Sequence, residues 1–184
     1  GEVREGPATL WLEEREGGRV ARTRGRVSLA SMETVGRVWL TALSSGERVE
    51  KVQELLAATQ DLPALESPGL GHTAVTTFSE DGQLYRCRLE MCGQDGAVTA
   101  RFIDFGNSEV KRTVELFQTP KELEDIPDGA FPVSLDTGLE DTEENQDEVA
   151  GRLEIEDLYV ELGPGSKAQF YDGDHRIVFG GIDG

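Results

Sequence analysis

The chain has 184 residues, 37% of them hydrophobic and 29% charged, enough for one medium domain or two small ones sharing a core. A formal net charge of −18 repels phosphate backbones and attracts basic partners, which argues against direct nucleic-acid binding as the main task. No apolar run approaches the ~20 residues of a membrane span, and the two cysteines, Cys87 and Cys92, suit neither a disulfide framework nor a four-ligand zinc site. A reduced intracellular protein is the expectation. Gly1 carries neither an initiator Met nor a signal-peptide pattern, which reads as a segment of a longer chain.

Residues 1–25 are rich in Gly and Arg around Leu10-Trp11-Leu12 and read as an N-terminal extension, partly strand-like. From Arg26, RVSLASM alternates polar and apolar, and GRVWLTAL repeats the pattern after Thr34-Val35-Gly36, a hairpin signal. Ser44-Ser45-Gly46-Glu47 has the form of a capping box and predicts a helix start. Val49, Val52, Leu55, Leu56 and Thr59 then recur on one helical face until Pro63.

Residues 64–71 read as a linker. A strand follows from His72 to Phe78, closed by Asp81-Gly82 as a two-residue hairpin turn. The next strand, Leu84 to Cys92, is expected to place Tyr85, Cys87, Leu89 and Met91 on one face and Arg86, Arg88 and Glu90 on the other. A third runs from Ala97 to Asp104, Gly106-Asn107 makes a tight bend, and Ser108 to Arg112 forms a fourth. Glu115 to Pro127 predicts a short helical turn. Four or five short antiparallel strands with tight turns make a small barrel.

Gly129–Leu135 is a further strand, and 136–148 an acidic loop or helix start holding Glu140, Asp141, Glu143, Glu144, Asp147 and Glu148. Arg152–Leu162, Ala168–Tyr171 and Arg176–Ile182 read as closing strands. The fold class expected is mainly β with one or two helices, a small barrel inserted in a second β-rich body.

Four rings and one amide stand out: Phe78, Tyr85, Phe102, Phe105 and Asn107. Any one of the rings, taken alone, belongs in the core of a small barrel. As a set, most lie at strand ends beside Asp-Gly or Gly-Asn turns, where they would converge on one mouth. Such a cage binds cations through the negative ring faces. A guanidinium is flat, permanently charged and weakly hydrated, so it slots between rings at modest cost. Methylation keeps that charge while adding apolar surface, and the neutral Asn107 amide can still accept an N–H. Asp104 reads as structural, and Arg86 and Arg88 as solvated or paired with acids. No nucleophile–base arrangement, metal-ligand cluster or cofactor motif is legible.

The segment FSEDGQLYRCRL followed by RFIDFGNSEV resembles the core of a Tudor domain, and the flanking pieces resemble the extended form, in which a staphylococcal-nuclease-like (OB-type) body is split around the barrel. The resemblance spans roughly residues 26–184, with the specific motifs in 72–112. It divides the chain into an extension at 1–25, a first part of the nuclease-like body at 26–63, the barrel with its linker at 64–127, and the second part of that body at 128–184. It implies a non-enzymatic reader of arginine, symmetrically dimethylated, in Arg-Gly or Arg-Ala tails of Piwi-class proteins. By the same resemblance the protein is a cytoplasmic scaffold of germ granules and the piRNA pathway. Position by position, Phe78, Tyr85, Phe102 and Phe105 would be the cage walls, and Asn107 would bond the guanidinium. Leu84 stands where an aromatic often precedes the Tyr, and Phe occupies both positions around Ile103-Asp104. A reader of methylated lysine and a nuclease-like hydrolase are the alternatives, the latter weakened by the missing catalytic set.

Overall fold

The alternation from Val27 to Ala42 builds the spine of the molecule. In the computed structural model, which describes residues 3–6, 9–14 and 21–179 and the side chains of 25–179, strand β3 (Ala21–Thr34) is followed by β4 (Arg37–Ala42) as an antiparallel hairpin. Two further strands, β1 (Val3–Gly6) and β2 (Thr9–Glu14), precede it, and β2 pairs with β3. The extension therefore contributes backbone to the large sheet. The expected patch Leu10-Trp11-Leu12 lies, as side chains, outside the described residues.

β3 divides its pairing. Its first half takes β2 on one edge and β10 (Leu158–Leu162) on the other, while its second half pairs with β4. β4 pairs in turn with β9 (Ala130–Ser134), from Arg37 opposite Ser134 to Thr41 opposite Ala130. The chain thus leaves the large sheet after β4 and re-enters it beside β4, with everything between inserted. β11 (Ala168–Asp172) and β12 (His175–Arg176) complete this sheet. Its core gathers Val38, Leu40, Phe131, Val133, Leu158 and Phe170, closed by Val149 and Leu153 of a helix.

The inserted sheet is antiparallel in the order β5 (Thr73–Thr77), β6 (Leu84–Cys92), β7 (Ala97–Phe102), β8 (Ser108–Arg112). One face wraps Ala74, Cys87, Leu89, Val98, Ala100, Phe102 and Leu116. Instead of a β5–β8 ladder, Phe117 exchanges two backbone hydrogen bonds with Val75, at 2.9 and 2.8 Å, and covers the β5 edge. Helix α1 (Gly46–Ala58) buries Val52 and Leu56 against Val75 and Leu123, on the outer side of this small sheet.

Several local expectations change. The capping box does not form: a 3-10 turn at Leu43–Ser45 runs straight into α1, so the Gly46 N–H is already bonded to Leu43. The helix ends at Thr59, whose hydroxyl bonds back to the Leu55 carbonyl, before Pro63 is reached. Asp81-Gly82 is not a two-residue turn; Phe78 and Gln83 close a four-residue loop, with Gly82 at φ +69°. A register shift between Leu89 and Met91 turns Met91 out to solvent. Glu115–Pro127 yields two 3-10 turns, Thr113–Glu115 and Lys121–Leu123, around the extended Phe117.

The largest change is helix α2 (Glu143–Leu153), which takes the first residues of the strand expected at Arg152–Leu162. Thr142 caps it by accepting from the Asn145 N–H at 3.1 Å, and Glu143 and Glu144 favour its positive end. The closing strand expected at Arg176–Ile182 shrinks to β12; Phe179 leaves the sheet and packs edge-on against Phe170, and Ile182 lies outside the described residues.

The two thiols are expected to separate in reactivity. Cys87 is buried and its thiol is pushed up to about 12, chiefly by that burial, whereas Cys92 is exposed. Alkylation at neutral pH should add one label to the native protein and two after denaturation, read by mass. Two labels without denaturant would mean that β6 opens.

Candidate functional site

At the end of the small sheet lies a pocket of about 300 Å³ lined by Phe78, Tyr85, Phe102, Phe105, Asn107 and Ala30. The five residues singled out in the sequence thus meet at one place. Phe78 begins the loop after β5, Tyr85 is the second residue of β6, and Phe102 ends β7. Phe105 and Asn107 come from the tight β7–β8 connection, which is closed by the Phe102 N–H donating to the Asn107 carbonyl at 2.8 Å.

The rings meet edge to face. Tyr85 stands perpendicular to Phe78 (5.9 Å, 89°) and to Phe105 (5.4 Å, 87°), so it forms the back of a box with those two at its sides. Phe102 contacts both Phe78 and Tyr85 and is only 1% exposed. It lines the pocket as its floor and is at the same time a member of the small sheet's core. The Asn107 amide is half-buried and bonds no other described residue. Among the described residues no charged side chain lines the cavity, so a flat cation entering it would meet ring faces and one neutral amide.

Each side of the box is anchored. The Tyr85 hydroxyl donates to Asp81, whose carboxylate also accepts the Gln83 N–H at 2.9 Å. That bond, with burial behind it, pushes the phenol up to about 12 and keeps it protonated at ordinary pH. Beside Phe78, the Ser79 N–H and hydroxyl both donate to Glu109 on β8. Burial pushes the Glu109 carboxyl up, but the Ser79 bonds and Lys111, 3.3 Å away, outweigh it and hold the group below its usual range. On the other side Gly106, at φ +91°, lies so close to Trp39 of the large sheet that a Cβ would sit 2.3 Å from the Trp39 Cβ. Only glycine meets both demands.

Beneath the site Arg86 and Asp104, 4% and 1% exposed, form a two-pronged ion pair at 2.6 and 3.0 Å. Arg86 also donates to the carbonyls of Leu123, Ile126 and Pro127, and Asp104 accepts the Gly129 N–H at 2.8 Å. Every strong donor of the guanidinium is used, so this arginine ties the small sheet to the strand that returns to the large one. Arg88 pairs with Asp128, half exposed. Solvation is therefore the wrong expectation for Arg86, and pairing the right one.

Ala30, Asp81, Glu109, Trp39 and Arg101 escaped the sequence reading as parts of the site. Ala30 reaches the pocket at a register shift in the β3–β4 pairing, between Leu29 and Ser31, which no local pattern announces. Asp81 could have been found, because an Asp four residues before a Tyr on a hairpin can reach the phenol.

The family profile described as the Tudor domain matches residues 25–137. Protein tudor of Drosophila melanogaster is 34% identical over 98 residues, which is 53% of this chain but 4% of that protein, so the chain spans a small part of this relative's length. Among solved structures, the complex of Tudor with symmetrically dimethylated Aubergine superposes with a TM-score of 0.68 at 23% identity, covering 83% of this chain and 95% of that one. The extended Tudor domain TD3 of mouse TDRD1, bound to a MILI peptide containing dimethylarginine, gives 0.71 at 19% identity over 82% and 83%. At these identities the two superpositions speak for a shared fold.

Proposed function

The chain belongs to the Tudor domain family, and from that membership we propose that it reads arginine, symmetrically dimethylated, in Arg-Gly or Arg-Ala tails. The observation that carries the reading is the uncharged pocket in which Phe78, Tyr85, Phe102, Phe105 and Asn107 converge. Rings on three sides favour a delocalised cation, and added methyl groups gain contact with them while the charge stays. Asn107 offers an acceptor to whatever N–H methylation leaves. An acidic chain at −18 speeds the approach of a basic tail.

Tudor domains are binding modules, and this one acts without catalysis, as a scaffold. Structures of similar fold carry dimethylated Aubergine and MILI peptides, which supports tails of Piwi-class proteins as the partners and the cytoplasmic germ granules of the piRNA pathway as the setting. The test is calorimetric titration with one Arg-Gly peptide unmodified, monomethylated, and symmetrically or asymmetrically dimethylated. Symmetric dimethylation is expected to tighten binding about tenfold over the unmodified peptide, equivalent to ~1.4 kcal/mol. Equal affinity for all four, or none, would overturn the reading. Tighter binding of a trimethyl-lysine control would redirect it to lysine.

A further inference from the structure

The Phe105–Asn107 side of the pocket is held by an arginine of the small sheet that the large sheet braces. Arg101 on β7 donates from Nη1 to the Gly106 carbonyl at 2.8 Å, inside the very turn that presents Phe105 and Asn107. Its guanidinium carbon lies 4.8 Å from the centroid of the Trp39 ring on β4. Trp39 is itself oriented, its indole N–H donating to Glu33 at 3.1 Å. Glu33 of β3 pairs with Arg101 Nη2 at 3.2 Å, and Glu90 of β6 takes Nε and Nη2 at 3.1 and 2.9 Å. One side chain therefore joins β3, β4, β6 and the β7–β8 turn.

From this geometry, and resting on the arginine-reading function above, we infer that Arg101 is a positioning residue for the pocket: held by Trp39 and two glutamates, it fixes the Phe105–Gly106–Asn107 turn, so the large sheet sets the affinity of a site on the small one. A planar, five-donor head suits this task, since it can stack on an indole while bonding in its own plane. The two glutamates have a second effect. They offset the positive charges of Arg101 and of Arg37, which also pairs with Glu33 at 3.6 Å. Those charges would otherwise repel a cationic ligand.

The test compares four forms of the protein by titration with the symmetrically dimethylated peptide: unaltered, Arg101→Gln, Asn107→Ala and the double variant. Arg101→Gln should weaken binding about 3- to 10-fold, less than the full loss of a charge-assisted hydrogen bond because the bond holds the turn and not the ligand. Because Arg101 acts through the turn that carries both Phe105 and Asn107, the combined loss in the double variant should be smaller than the product of the two single losses. Arg101→Lys should not restore affinity, as an ammonium keeps the charge but not the fork. Should Arg101→Gln fold poorly, as a thermal melt would reveal, Glu90→Gln serves instead and should also be non-additive with Asn107→Ala. Unchanged affinity in Arg101→Gln, or losses that multiply in the double variant, would overturn the inference while leaving the pocket's function intact. If the unaltered protein bound no methylated peptide, the arginine reading would fail and this inference with it.

Discussion

Alanine at Phe102 should destabilise the protein, whereas alanine at Phe105 should weaken ligand binding alone. Phe102 is 1% exposed and packs against Ala100, Cys87 and Leu116 in the core of the small sheet. Deleting a buried ring leaves a cavity and costs about 3–5 kcal/mol. That is a large share of the ~5–15 kcal/mol by which domains are stable, and for a chain of this size it lowers Tm by roughly 6–20 °C. Phe105 is half-buried at the pocket's side and belongs to none of the core clusters. Losing it removes one ring face, ~0.5–2 kcal/mol of cation–π attraction, which is about 2- to 30-fold in affinity. A thermal melt beside a titration separates the two. A Phe102→Ala protein of unaltered Tm, or a Phe105→Ala protein of unaltered affinity for the symmetrically dimethylated peptide, would contradict the geometry. The practical consequence is that Phe105, not Phe102, is the ring to remove in a binding assay.

Arg86→Ala is expected to cost as much as Phe102→Ala, for an electrostatic reason. The substitution strands the Asp104 carboxylate in the interior with only the Gly129 N–H as partner, and it strips the donor from the carbonyls of Leu123, Ile126 and Pro127. Breaking one partner out of a buried pair typically costs about 3–5 kcal/mol. Removing both is gentler: an Arg86→Met, Asp104→Leu double variant should recover part of that loss, since two charges no longer need to leave water. The Arg88–Asp128 pair supplies the contrast. Its side chains are 40% and 28% exposed, so Arg88→Ala should cost below ~1 kcal/mol. Urea melts of the three variants decide the matter. Equal costs for Arg86→Ala and Arg88→Ala would mean that burial of the first pair carries no special weight.

The physical divide between what was legible in the chain and what was not follows the range of the interactions. Strand periodicity and turn residues act over a few positions, so the hairpin at 26–42 and the four short strands from Thr73 to Arg112 could be located from side-chain order alone. The family pattern around Ile103-Asp104-Phe105-Gly106-Asn107 likewise lies in one short stretch. A helix start is legible within 136–148, where α2 begins, but its end at Arg152-Leu153 reads as strand, because Leu153, Ile155, Leu158 and Val160 alternate apart from a break at Asp157 while Val149 and Leu153 also fit a helical spacing. The Thr142 cap and burial against the large sheet decided for the helix.

By itself, then, the amino-acid order determined the hairpin at 26–42, the four short strands from Thr73 to Arg112, the acidic character of the chain and the five residues that gather at the pocket. Only the tertiary structure decided what each of them does there. It made Phe102 a floor by enclosing it in a core, turned Arg86 inward onto Asp104, and brought Ala30, Trp39 and Glu33 from a distant strand pair to the rim. The Arg86–Asp104 pair joins residues 18 positions apart, the contacts of Ala30, Trp39 and Glu33 join residues farther apart still, and burial, unlike periodicity, is a property of the whole packed chain.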